Sequence, residues 1–182
     1  MQQKDALPPV NARWCRALAT LAAVSSVAFL VVAVILWLVP DWAPIVARGM
    51  ANIQDQPITL TPLVRVTGLV CSLLVLSVLC WGFWTARRLF LRLADGAVFE
   101  PETGVLLRRL GKALLWYAIL TPFVATFMSW LVTHLNAPGQ RFASFGISDQ
   151  EITLAILGTL LVTLGSVMAQ AAQIAEDHRQ IV

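Results

Sequence analysis

Charge, cysteine and histidine are all scarce in this chain. Only 13% of its 182 residues are charged, against roughly a quarter in a soluble globular domain. Its 58% hydrophobic content therefore calls for a bilayer around it. The three cysteines are an odd number without a C-x-x-C spacing, which excludes both a disulfide framework and a thiolate metal site. Cys71 and Cys80 sit on one apolar run roughly 13 Å apart along a helix rising ~1.5 Å per residue, so they cannot bond to each other. They read as small apolar packers, and Cys15 beside Arg16 marks the surface end of another run. The two histidines, His134 and His178, fall on opposite sides of the expected membrane and cannot share a metal. No Asp, Glu, Lys, Arg or His lies deep within an uncharged run, which argues against a proton- or ion-coupled carrier. No catalytic constellation, cofactor motif or metal-ligand spacing is present, so the reading is of a non-enzymatic protein without a cofactor.

Four long uncharged runs are what the sequence does have. They mark spans over about 17–39, 66–86, 113–135 and 150–175, the last uncharged from Ile152 to Ala175, and each meets the ~20 residues needed to cross ~30 Å of hydrocarbon. The first is a retained span, since it exceeds a signal-peptide h-region and no small-residue cleavage site follows it. The expected fold class is all-α: an integral membrane four-helix bundle of two transmembrane hairpins, with a polar arm over 1–12 and one membrane domain over 13–182. Between the hairpins lies a linker, 87–112, with six of the thirteen Lys and Arg residues. Residues 41–65, broken by Pro44, Pro57 and Pro62, read as a loop with a short surface helix near Ile45 to Ala51. Pro122 is expected to kink the third span.

Orientation follows from the basic residues. Arm, linker and tail hold ten, and the other side holds Arg48, Arg65 and Arg141. The positive-inside rule then places both termini and the linker in the cytoplasm. Trp14, Trp81, Trp84, Trp116 and Tyr117 fit an inner aromatic belt, and Trp37, Trp42 and Trp130 an outer one. Charge so distributed is explained by topology, so the basic pI does not imply direct nucleic-acid binding.

Small residues mark packing faces in a membrane. Ala155, Gly158, Gly165, Ala169 and Ala172 in the fourth span, and Ala19, Ala22, Ser26 and Ala33 in the first, predict that these two helices pack together. The hydroxyls of Thr121, Thr126, Ser129 and Thr133, and of Thr159, Thr163 and Ser166, are expected to bond their own helices. Ser148 to Glu151 has the form of a capping box opening the fourth helix.

Within the linker, residues 85–95 extend the second helix, with Arg88, Arg92 and Asp95 on one face and Leu89, Phe90 and Leu93 against the membrane surface; Gly96 ends it. Glu100-Pro101-Glu102 opens the next helix, which carries Arg108 and Arg109. Like charges four apart, Arg88 with Arg92 and Arg108 with Lys112, call for an outside anion. Anionic headgroups at the cytoplasmic face supply one. The acidic tail, Glu176 and Asp177, offers another to Arg108 or Arg109.

The segment Gly96-Ala97-Val98-Phe99-Glu100-Pro101-Glu102, then Leu107-Arg108-Arg109-Leu110-Gly111, and the tail Ile174 to Val182 resemble a bacterial membrane family catalogued as domain of unknown function 2975. Glu100 stands where that family commonly carries Ser or Thr as a helix cap. The resemblance implies four spans in the bacterial inner membrane and no established activity. Its genes often neighbour small helix-turn-helix regulators, which implies a regulatory partner. The expected function is that of an interaction or regulatory membrane protein acting through Arg88, Arg92, Glu100, Glu102, Arg108, Arg109, Glu176 and Asp177, with a protein partner or a second copy. The alternative is a small transporter or channel subunit.

Overall fold

The computed structural model describes residues 12–53, 57–96, 100–137, 141 and 143–180, with side chains up to Ile174. The expected arm, apart from Ala12, and the tail carboxylates Glu176 and Asp177 lie outside what is described. Five helices form, and no strand occurs among the described residues: α1 (Ala12–Leu38), α2 (Ala43–Ala51), α3 (Pro62–Ala94), α4 (Pro101–Thr133) and α5 (Asp149–Gln180). All but α2 are long and apolar enough to cross a membrane.

Local chemistry sets the helix ends. Thr61 is extended and its hydroxyl accepts from the Val64 N–H at 3.3 Å, with Pro62 in the first turn where its missing donor costs nothing. Gly96 ends α3 with φ +81°, a conformation that suits a residue without Cβ. α4 runs through Pro122 without a break, and the hydroxyls of Thr121 and Thr126 bond the carbonyls of Tyr117 and Pro122, each at 2.8 Å. The expected capping box is half formed. Glu151 reaches back to the Ser148 N–H at 2.7 Å, but the Ser148 hydroxyl turns to that same carboxylate instead of a helix N–H.

The helices pack in two hairpins, α1 on α3 and α4 on α5, joined by α3 on α4. The expected pairing of the first and fourth spans is corrected here. Ala19, Ala22, Ser26 and Ala33 are buried in the hairpin with α3, and the glycines of α5 meet α4. Each small-residue face serves the next span in the chain, as consecutive elements usually neighbour each other in space even across long connections.

The core sits at the end of the molecule remote from the linker. There Trp37, Val64, Val124, Met128, Leu131 and Val132 enclose the alanine face of α2 (Ala43, Ala47, Ala51). The expected short helix thus keeps one face, with Ile45, at the surface and buries the other in this core. Trp37 is corrected: the other six tryptophans are exposed, but Trp37 is only 3% exposed. Its indole N–H donates to Ser72 Oγ at 2.8 Å, and that hydroxyl donates to the Gly68 carbonyl at 2.9 Å. The ring lies flush on Gly68, so a Cβ there would run into it. A polar ring edge in a dry interior needs such a partner.

α5 sits lower against α4 than its composition suggests. Gly158 opposes Gly111, and Gly165 opposes Gly104 and the Arg108 backbone. The middle of the uncharged run of α5 is therefore displaced from the middle of that of α4 by about 15 residues, roughly 23 Å at ~1.5 Å per residue. The hydrocarbon core is only ~30 Å thick. α5 has the length to span, yet here its second half stands beside the basic half of α4, and Glu151 stands level with Thr121.

Two outcomes test this packing. Gly68→Ala should destabilise the detergent-solubilised protein by about 1–3 kcal/mol through overpacking, while Gly49→Ala, which meets nothing within 4 Å, should be neutral or stabilising in thermal unfolding. In a cysteine-free background, Leu164→Cys should react with a membrane-impermeant thiol reagent from the face bearing the α3–α4 turn, and Phe127→Cys should not; equal protection of both would refute the offset.

Candidate functional site: two clefts along the α3–α4 pair

The first cleft is built from the last turns of α3 and the first turns of α4. α3 presents Arg88, Leu91 and Arg92 on one face by i, i+3, i+4 spacing, and α4 presents Glu102, Val105, Leu106 and Arg109 in the same way. They line a cleft of about 500 Å³. Leu89, expected to lie on the membrane surface, is buried instead, only 7% exposed.

Arg92 organises the turn. Its guanidinium meets a Glu100 carboxylate oxygen at 3.1 Å and also pairs with Glu102. One planar fork thus holds two carboxylates, a geometry guanidinium suits and ammonium does not. Glu100 occupies the N-cap position of α4 with extended backbone, but its side chain caps nothing. Its carboxylate is drawn to Arg92, an ion pair that a Ser or Thr at this position could not make. Both pairs are largely exposed, so each contributes little stability on its own.

Arg88 and Arg109 have no ion pair among the described residues. Arg109 opens into the cleft, whereas Arg108, one residue earlier, lies on the flank against α5. Arg87 stacks over the Trp84 ring at 5.3 Å. Of the residues expected to act together, the fold gathers Arg88, Arg92, Glu102 and Arg109, reaches Glu100 through Arg92, and leaves Arg108 apart. The pairing of Arg108 or Arg109 with Glu176 or Asp177 lies outside the described residues. Sequence reasoning missed that the linker supplies its own acids, although the eight-residue separation of Arg92 and Glu100 across Gly96 was a signal for it.

The second cleft, of about 460 Å³, lies between α2, the middle of α4 and the start of α5. Asn52, Tyr117, Thr121, Ser148, Gln150 and Glu151 give it its polar lining. No sequence motif announced it, because its walls come from four separate stretches. Glu151, just ahead of its own uncharged run, thus stands level with the middle of α4. The hydroxyls expected to bond their own helices do so: Thr159 and Thr163 donate to the Ala155 and Thr159 carbonyls at 2.8 and 2.9 Å, on the free side of α5.

Four helices of membrane-spanning length, no strand among the described residues and an apolar exterior define the class: an all-α, multi-pass membrane protein. Residues 49–182 match the family described as protein of unknown function, DUF2975, and the chain belongs to that family. No curated protein and no solved structure matches the chain.

Proposed function

We propose that this protein is a non-enzymatic interaction or regulatory protein of the bacterial inner membrane, with linker and termini in the cytoplasm. It acts through the α3–α4 turn and the exposed face of α5 from Leu160 onward. The observation that carries this reading is the level of α5: Leu160, Leu164, Val167 and Ile174 are exposed beside the basic half of α4. Lipid tails do not reach past a ring of arginines, so apolar side chains there call for a protein partner or a second copy. The excess of Lys and Arg on that side supports its cytoplasmic placement.

Photo-crosslinkers placed at Arg92, Glu102, Leu164 and Asp177 in native cells should capture one and the same protein from at least Leu164 and Glu102. Capture of lipid alone from all four positions would sink the reading.

A small transporter is the second reading, and the polar cleft at mid-α4 favours it. Irregular backbone at membrane depth is tolerated where it lines a water-filled cavity, and residues 143–148 run without helix beside that cleft. The Glu151 carboxylate selects for cations. Proteoliposomes should then take up a small organic cation such as tetraethylammonium, with uptake reduced at least tenfold by Glu151→Gln and several-fold by Tyr117→Phe. Uptake no faster than in empty liposomes would remove this alternative.

A further inference from the structure

The arginine cleft has a shape and charge that the ion pairs of the turn leave unused, and we infer that it holds the phosphodiester of one anionic phospholipid. Three guanidiniums and one carboxylate line it, and with Glu100 held on Arg92 the excess is one positive charge. Glu102, and Glu100 beside it, are both engaged by Arg92. That engagement fixes Arg92 at the rim and keeps the acids away from Arg88 and Arg109, which face each other across the cleft from different helices without an ion pair among the described residues. Two such forks on separate helices match the oxygens of a phosphate better than any carboxylate the turn still has free.

The floor decides between a lipid phosphate and a free one. Leu91, Val105 and Leu106 form it, and apolar carbon beneath a phosphate suits the glycerol and first acyl carbons of a lipid, whereas it would only desolvate an inorganic anion. The height agrees. Trp84 lies one helical turn from Arg88, and Trp116 two turns from Arg109, both exposed on the membrane side of the cleft. Aromatic belts mark the headgroup level, so the cleft opens where lipid phosphates lie. A zwitterionic headgroup would bring its ammonium among three guanidiniums, with Glu100 and Glu102 already engaged by Arg92. The site therefore favours phosphatidylglycerol-like lipids over phosphatidylcholine-like ones.

This inference rests on the membrane reading of the chain and not on a protein partner. The experiment reconstitutes the full chain into nanodiscs of equimolar phosphatidylglycerol and phosphatidylcholine, extracts it in mild detergent and counts retained lipids by native mass spectrometry. Retained phosphatidylglycerol is expected to exceed phosphatidylcholine by more than tenfold, and Arg88→Gln with Arg109→Gln should bring the two close to parity, since two basic residues at roughly 1 kcal/mol each are worth about thirtyfold. The control, Arg13→Gln with Arg16→Gln, removes the same charge from the same end outside the cleft and should leave the excess intact. Arg88→Lys with Arg109→Lys keeps charge without the fork and should fall between.

Equal retention of the two lipids overturns the inference, as does an equal effect of the cleft and control pairs. Displacement of the lipid by millimolar inorganic phosphate would overturn the assignment to a lipid. Lipid selection that persists while every protein crosslink is absent leaves this site standing and removes the partner reading alone.

Discussion

The arrangement depends on one close approach, backbone against backbone, where α4 crosses α5. A Cβ on Gly104 would lie 2.7 Å from the Ala169 nitrogen, and one on Gly165 would lie 2.6 Å from the Gly104 carbonyl oxygen. Only hydrogen fits in such a gap. In a bilayer, where burying apolar side chains gains little, this intimate van der Waals contact is the main force that brings helices together. Glycines seven residues apart on both helices repeat the contact two turns on, at Gly111 and Gly158, and so fix the height of α5 as well as its side.

Much follows from that height. The chain leaving α4 must descend alongside it before α5 can begin: the Ser144 N–H donates to Ser129 Oγ at 3.0 Å, and the Phe145 ring meets that of Phe123 at 6.0 Å. The first turn of α5 consequently opens beside Tyr117 and Thr121, and the polar cleft is the space left between them and α2. At the other end α5 carries its apolar side chains past the basic residues of α4.

The other two joints use different physics. Trp37 locks α1 to α3 by shape and one buried hydrogen-bond relay, through Ser72 to the Gly68 carbonyl, with Met50 Sδ of α2 3.0 Å from the same hydroxyl. The α3–α4 turn is held by solvent-exposed charge, which suits a surface that meets headgroups or a partner, since exposed ion pairs rearrange at small cost. Adjustable charge at the α3–α4 turn thus sits directly beside the close α4–α5 contact, a responsive rim on a rigid frame.

Number, length and order of the helices could be read from the chain, because hydrophobic run length against bilayer thickness is a one-dimensional property. So could the break at Gly96 and the fresh start at Pro101, where single residues fix the backbone. The small-residue faces were legible as well, but not their partners: Gly158 and Gly165 announce that something approaches closely without naming Gly111 and Gly104. The burial of Trp37 was hidden for a similar reason, since an indole near a helix end serves equally as a belt residue or a core residue until Gly68 is seen beneath it. In the cleft, the sequence identified the charged residues, and only the folded turn decided that Arg92 takes both glutamates while Arg88 and Arg109 have no ion pair among the described residues. Composition and periodicity determine which segments leave water; which helix height and which charge partner result is decided by three-dimensional contacts between residues far apart in the chain.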